Sequence, residues 1–441
     1  MDAYQALKDI ASCFHADNPR GVFSVCSAHP SVIEATLKTT LAHGSTVLLE
    51  STSNQVNQFG GYTGMTPRDF LQWIRDLERS IGIPYERVLI GGDHLGPFPW
   101  RNEPAAAAMD KARGLVHACV AAGYAKIHLD ATMCLADDPG DSARPLDPQV
   151  GAERTADLCR VAEAAWQDLR ASKPDSPPPV YVIGSDVPLP GGTPSGAAAP
   201  EITKAEDLEQ TMTLCRSAFA RLGLSGAWER VVAVVVQPAV EHGARVIHPY
   251  VRDKVRSLTT ALRKMKNIVF EAHATDYQTP AALRQMVEDG FEILKVGPSL
   301  TAALREALFL LTHIEEILAP LAGLTKSKVP QALEAAMVAD PKHWKSYYEG
   351  TAEELSFARL FGLSDRCRYY WNAPDVERAV QMLKGNLRAV EIPLSLLSQY
   401  FPRQYAKVRE GSLRAEPDAL INAQIGEVLA SYRKAVSPRS T

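Results

Sequence analysis

No stretch of the 441-residue chain approaches the roughly 18 consecutive apolar residues that a membrane-spanning helix needs. The N-terminus also lacks a basic segment followed by an apolar core, so neither a secretory leader nor a membrane anchor is expected. A basic excess is missing as well. Lysine and arginine number 47 against 51 aspartates and glutamates, and the net charge of -4 leaves no positive stripe for nucleic acid. The seven cysteines (Cys13, Cys26, Cys119, Cys134, Cys159, Cys215, Cys367) are odd in number, scattered, and form no C-x-x-C pair. That pattern excludes a disulfide framework and points to reduced thiols in the cytoplasm. No G-x-G-x-x-G follows the first strand, and neither G-x-x-x-x-G-K-[ST] nor a protein-kinase motif set occurs. Dinucleotide binding and nucleotide-driven phosphoryl transfer therefore have no support in the residues. What is present is an ordinary globular composition, 46% hydrophobic and 22% charged, with material for a large core and an expectation of small-molecule or protein partners.

The chain is organised around Val88-Leu89-Ile90-Gly91-Gly92-Asp93-His94-Leu95-Gly96, a short apolar run that stops at an adjacent carboxylate and imidazole. Acid/base groups and metal ligands are placed at the carboxyl ends of strands in barrel enzymes. The same pattern recurs along the chain. Strands are expected at residues 21–26, 46–50, 88–91, 126–130, 180–184, 231–237, 268–271 and 293–296, with amphipathic helices between them. Nearly every strand ends in a polar or ionisable residue. Eight such alternations describe a (β/α)8 barrel, a TIM barrel, over residues 1–328. A doubly wound open sheet is the runner-up, but it does not account for polar ends on all eight strands. Beyond about Pro330 the strand signal disappears, and residues 329–441 are expected to form a helical C-terminal extension packed on the barrel. Its aromatics cluster at Trp344, Tyr347, Tyr348, Phe357, Phe361, Tyr369, Tyr370 and Trp371.

Three histidines, His94, His242 and His273, follow strands three, six and seven. Neutral imidazoles suit zinc, and three protein ligands with an open position are what a catalytic zinc needs to polarise a carbonyl. Glu241 rivals His242 as ligand, because adjacent residues on a strand end point oppositely. Asp93 is the candidate proton donor or acceptor at the polarised carbon. Asp130 and Asp186, also at strand ends, would bind hydroxyls or orient a ligand histidine from behind. The loop from Ser51 to Gly64 is rich in amides and hydroxyls, with Asn57 and Gln58 as groups for a polyol. Ser27, Gln237, Lys295 and Ser299 are further strand-end candidates for substrate, and Arg366, in Ser364-Asp365-Arg366-Cys367-Arg368-Tyr369-Tyr370-Trp371, is a candidate for a phosphate.

The order Asp93-His94, His242-Gly243, His273-Ala274-Thr275-Asp276 and Lys295-Val296 is similar to that of class II, zinc-dependent fructose- and tagatose-bisphosphate aldolases. Over almost the whole chain the sequence more closely resembles the family of non-catalytic subunits of bacterial tagatose-bisphosphate aldolase. The motifs are Ser24-Val25-Cys26-Ser27-Ala28-His29-Pro30, the run from Asn54 to Met65, Gly91-Gly92-Asp93-His94-Leu95-Gly96, Phe270-Glu271-Ala272-His273, and Ser364-Asp365-Arg366 with Tyr369-Tyr370-Trp371. The resemblance implies a cytoplasmic accessory subunit that supports a catalytic aldolase subunit in galactitol or N-acetylgalactosamine catabolism, with a sugar or sugar phosphate as ligand and zinc as metal. The chain departs from the pattern in two places. Asp186 stands where the family leads one to expect glutamate, and Gly297-Pro298 replaces the asparagine with which the aldolases hold a substrate phosphate. The ligand set also suits an enzyme in its own right, a metal-dependent ketose 4-epimerase acting on a ketose, a ketose phosphate or a hexuronate.

Overall fold

Ten short runs, most of them rich in β-branched and aliphatic residues, form strands: β1 (Val22–Val25), β2 (Val47–Thr52), β3 (Val88–Leu95), β4 (Lys126–Leu129), β5 (Val180–Gly184), β6 (Val231–Val235), β7 (Glu241–His242), β8 (Ile247–His248), β9 (Val269–Ala272) and β10 (Phe291–Val296). The computed structural model describes residues 2–139, 146–184 and 200–437. Eight of the strands are parallel and close a barrel in the order β1-β10-β9-β6-β5-β4-β3-β2. Closure runs through β1 and β10, with Val22 opposite Ile293 and Val25 opposite Val296. β6 is Val-Val-Ala-Val-Val with every residue buried, as a parallel strand covered on both faces requires. This is the expected TIM barrel.

Two details differ from the sequence reading, and both bear on the site. β3 does not stop at residue 91 but runs through Asp93 and His94 to Leu95. Its register against β4 slips between Gly92 and Leu95, and His94 takes a left-handed φ of 48°. This bulge inserts an extra residue and re-aims side chains, so Asp93 and His94 escape the strict alternation of a regular strand. Second, Glu241 and His242 do not end β6. They form β7, which pairs antiparallel with β8 as a hairpin outside the barrel sheet.

The helices follow their caps. Asp2 caps Ala3–His15, whose Leu7, Ile10 and Phe14 are buried and which touches β1, β3, β6 and β9 at the barrel's amino-terminal end. Thr66 and Asp69 form a capping box at the start of Pro67–Ile81. After β10 come Pro298–Leu321 and then Val329–Ala339, Ala352–Phe361, Pro374–Arg388, Leu394–Tyr400, Pro402–Arg409 and Pro417–Val436. The last of these packs against Pro30–Ala42, Pro280–Glu288 and Pro298–Leu321 on the barrel's flank. Its Tyr432 hydroxyl lies 3.0 Å from Thr275 Oγ1. A single apolar core joins Leu7 near one terminus to Ala435 near the other. No described helix is long and apolar enough to cross a membrane.

The carboxyl-terminal mouth of the barrel is roofed by the segment around Arg366–Tyr369. Asp365, left-handed at φ 46°, accepts from Arg305 Nε at 2.8 Å and from Thr301 Oγ1, which anchors this turn on helix Pro298–Leu321. Tyr369 packs edge-on against Tyr62 of the loop after β2, with ring centroids 4.9 Å apart.

Candidate active site

Parallel strands place every second side chain inside the barrel. Here the inward positions are polar to an unusual degree: Ser24 on β1, Glu50 on β2, Lys126 and His128 on β4, Glu271 on β9 and Lys295 on β10 are all buried. They form one ionic network. Lys126 Nζ lies 2.7 Å from both Glu50 Oε1 and Glu271 Oε2. Lys295 Nζ bonds Glu50 and lies 3.0 Å from Asp93 Oδ1 and 3.6 Å from Glu271 Oε1. Burial alone would lower the Lys295 ammonium, but the carboxylates of Asp93, Glu271 and Glu50 hold it well above its usual range. It is a fixed cation rather than a free amine.

Above this floor the imidazoles gather. The rings of His94, His128 and His273 lie 4.8 to 5.3 Å apart. His94 Nδ1 lies 2.8 Å from Asp130 Oδ2, and His273 Nε2 lies 2.9 Å from Glu271 Oε1. In each case a carboxylate can accept a hydrogen bond from one ring nitrogen and so leave the other's lone pair outward, the arrangement found behind metal-bound histidines. His242 lines the same small cavity as His94 and His273, and both of its ring nitrogens are buried without a hydrogen-bond partner. Burial holds His273 down at about 4 against the pull of Asp93 and Glu271, and burial likewise lowers His242, so both rings are neutral donors at physiological pH. For His94, burial is outweighed by Asp93 and Asp130, which raise it.

These residues fit a divalent cation on two observations. Four buried carboxylates (Glu50, Asp93, Asp130, Glu271) face only two ammonium groups (Lys126, Lys295), an excess of acidic side chains that a divalent cation would offset. In addition, one donor atom each from Asp93, His128, Glu271 and His273 come within 4.8 Å of one another. Within this neighbourhood His128 Nδ1 lies 2.9 Å from Asp93 Oδ1 while its Nε2 is unpaired, Glu271 is shared between Lys126 and His273, and His242 Nδ1 lies 3.7 Å from Glu241 Oε1. The donor atoms that converge are thus those of Asp93, His128, Glu271 and His273, while His94 and His242 line the same mouth as His273 and Asp93. Asp93 is held well below the usual carboxylate range: burial would raise it, but His94, Lys295 and His273 prevail.

The remaining sequence-derived candidates divide. Asp130 Oδ2 lies 2.8 Å from His94 Nδ1. Lys295 lines the mouth, and Ser27 and Cys26 line an adjoining cavity. Glu241 does not reach the mouth; its Oε1 accepts the main-chain N–H of His242 at 2.9 Å, and burial lifts it to about 7. Asn57 is spent on its own loop, bonding Ser53 O and the N–H groups of Phe59 and Gly61. Gln58 reaches Lys111 O on a neighbouring helix. The polar loop after β2 does border the mouth, but through Thr52, Asn54, Gln55 and Tyr62. Gln237 is buried with its amide oxygen unpaired and lies outside both cavities. Ser299 serves Asp276, its hydroxyl donating at 2.7 Å. Arg366 stacks on Tyr347, with its guanidinium carbon 3.4 Å from the ring centroid, and donates to His343 O. Arg368, two residues on, is the arginine that lines the mouth. Asp186 lies outside the described residues.

His128, Glu50, Glu271, Lys126 and Asp276 are given no role by the sequence, whereas Arg368 lies in the segment expected to bring arginines over a phosphate. A signal existed in β4, where Lys126, His128 and Asp130 recur at every second position and so share the inward face.

The solved structure described as a probable tagatose 6 phosphate kinase from Sinorhizobium meliloti 1021 superposes with a TM-score of 0.85 at 42% identity, covering 94% of this chain and all of that one. The D-tagatose-1,6-bisphosphate aldolase subunit GatZ of Klebsiella pneumoniae is 46% identical over 428 residues, 97% of this chain and 98% of the relative. The subunit of the same name from Salmonella newport is 45% identical over 433 residues, 98% of this chain and 99% of its own. A family described as D-tagatose-1,6-bisphosphate aldolase subunit GatZ/KbaZ-like matches residues 7–437, and the chain belongs to that family.

Proposed function

We propose that this chain is the accessory subunit of a class II tagatose-1,6-bisphosphate aldolase, supporting the activity and stability of the catalytic subunit in cytoplasmic galactitol or N-acetylgalactosamine catabolism. The observation that carries this reading is the end-to-end match, from residue 7 to residue 437, to relatives that bear that subunit's name. The barrel is the binding unit and the helices from residue 329 onward its roof. The test is to assay a class II tagatose-bisphosphate aldolase catalytic subunit alone and with this chain. A higher rate or a longer active half-life in the mixture is expected. Identical time courses at a several-fold excess of this chain would refute the reading.

A second reading is favoured by one observation, the mouth itself. A barrel used only as a prop has no need of carboxylate-backed histidines, and buried ionic groups are costly to keep. In this reading the chain is a metal-dependent ketose 4-epimerase. His94, His242 and His273 would hold a divalent ion, probed first as zinc; when bound, such an ion polarises a sugar oxygen. Lys295 and Asp130 orient, the former by its charge and the latter by fixing the His94 tautomer. Asp93, ionised and bordering the cavity, is the group placed to take the C4 hydroxyl proton as the C3–C4 bond opens by retro-aldol and to return it when the bond recloses on the other face of the C4 aldehyde. The roof excludes water through Tyr62 and Tyr369. Asp93→Asn keeps the shape and removes the charge, so turnover should fall by roughly 10² or more while metal stays bound. Fructose, tagatose, their 6-phosphates and the hexuronates are the panel. No conversion of any of them eliminates the enzyme reading, and conversion that survives Asp93→Asn eliminates the role of Asp93.

A further inference from the structure

The turn between β10 and helix Pro298–Leu321 is the place where a barrel of this kind is built to seat a phosphate, since backbone N–H groups at the helix start point outward and the helix dipole favours an anion. In this chain that seat is already filled from within. Asp276 Oδ1 accepts from the N–H of Gly297 at 3.0 Å, from the N–H of Ser299 at 2.8 Å and from the hydroxyl of Ser299 at 2.7 Å. The carboxylate is not there by chance of rotamer. Ala274 and Tyr277 on either side take left-handed φ values of 52° and 64°, which fold the segment back onto the helix. Thr275 Oγ1 ties the same segment to Lys295 O at 2.5 Å. Asp276 is 2% exposed and borders the mouth, so an anion brought to this turn would meet a buried like charge with the donors already taken.

The opposite wall presents the reverse situation. Arg368 borders both the mouth, a cavity of about 90 Å³, and the larger cavity of about 560 Å³ beside it. Its guanidinium donates to Ser364 O at 2.6 Å, to Asp365 O at 3.0 Å and to the Tyr369 hydroxyl at 3.0 Å. No described carboxylate forms an ion pair with it. It is thus a cation held in place at the junction of two cavities, with no carboxylate among the described residues in ion-pair contact.

We propose that the mouth takes a sugar bearing one terminal oxyanion, a phosphate or a carboxylate, which Arg368 binds, and that Asp276 bars a second anion from the turn after β10. This deepens the sugar-site reading and rests on it. It also separates this chain's own ligand from a sugar bisphosphate, the substrate in the name of its relatives.

The experiment is calorimetric titration of the purified full chain with fructose, fructose 6-phosphate, fructuronate and fructose 1,6-bisphosphate. At least one of the two singly anionic ligands should bind about tenfold or more tighter than both fructose and the bisphosphate, and whichever of the phosphate and the carboxylate is tighter identifies the oxyanion. Arg368→Gln should erase the advantage of the singly anionic ligands over fructose. Asp276→Ala should narrow the gap between monophosphate and bisphosphate by about tenfold. Asp276→Asn, which keeps the acceptor oxygen and loses the charge, should move the same way and guards against misfolding of the alanine variant. Bisphosphate binding as tight as monophosphate in the unaltered chain, a ratio unmoved by both Asp276 variants, or equal losses for all ligands in Arg368→Gln would each overturn the proposal alone. No binding of any of the four would overturn the sugar-site reading and the proposal with it.

Discussion

His94 and Asp130 meet through Nδ1 and Oδ2 at 2.8 Å, deep in the barrel where neither side chain is more than a few per cent exposed. The approach is set by the backbone. A Cβ at Gly96 would sit 1.6 Å from the carbonyl oxygen of Asp130, so only glycine lets the end of β3 close onto the end of β4. The pairing assigns the proton to Nδ1 and turns Nε2 toward the mouth.

Removing that backing charge should therefore be felt at the metal. Asp130→Asn is expected to weaken divalent-metal affinity about 10- to 100-fold with little change in fold, read by competition against a chromogenic chelator. Unchanged affinity would show that Asp130 does not orient His94 for a metal.

The ionic floor makes a stability prediction. Lys126 is fully buried between Glu50 and Glu271, and Lys126→Met leaves two buried carboxylates short of a partner. The loss should be about 3–5 kcal/mol in chemical unfolding. Adding Glu271→Gln to Lys126→Met should recover part of it, because the two sites are coupled. Strictly additive losses would contradict the network.

A pH dependence follows from Glu292 on β10, at the other end of the barrel from the mouth. Burial raises its carboxyl to about 9, against the opposing pull of an Arg20 backbone bond and the Arg284 charge. A carboxyl raised in the folded state favours folding fully only below its unfolded value of 4.5, and that contribution is lost as the pH climbs toward about 9. Glu292→Gln should accordingly melt higher than the parent at neutral pH, by about 2 °C or more, with the gap widening between pH 5 and pH 9. A constant gap across that range would contradict the assignment.

Much of this was legible in the sequence, and the parts that were not share a physical cause. Alternating strands and helices with polar strand ends sufficed for the barrel, and Asp93, His94, His242 and His273 do border one cavity. The preference for His242 over Glu241 could not be read, because it depends on a hairpin whose antiparallel pairing turns one residue inward and its neighbour onto the backbone. Asp93 and His94 both reach the site only because β3 bulges, which period-two reasoning forbids. Arg366 and Arg368 are equivalent as letters. Stacking on Tyr347 claims the first and leaves the second at the mouth. Asn57 and Gln58 lie in a loop that does border the site, but Asn57 is consumed by local backbone groups, as short polar side chains in turns often are, and Gln58 Nε2 turns to Lys111 O on a neighbouring helix.

Metal analysis of the purified chain tests the central claim, that the barrel mouth is a divalent-metal centre, most directly. After zinc loading and gel filtration the unaltered protein should retain about one equivalent. His273→Ala should retain none, and His242→Ala should lose most of it while melting as a folded protein. No retained metal in the unaltered chain, or full retention in both histidine variants, would contradict the account.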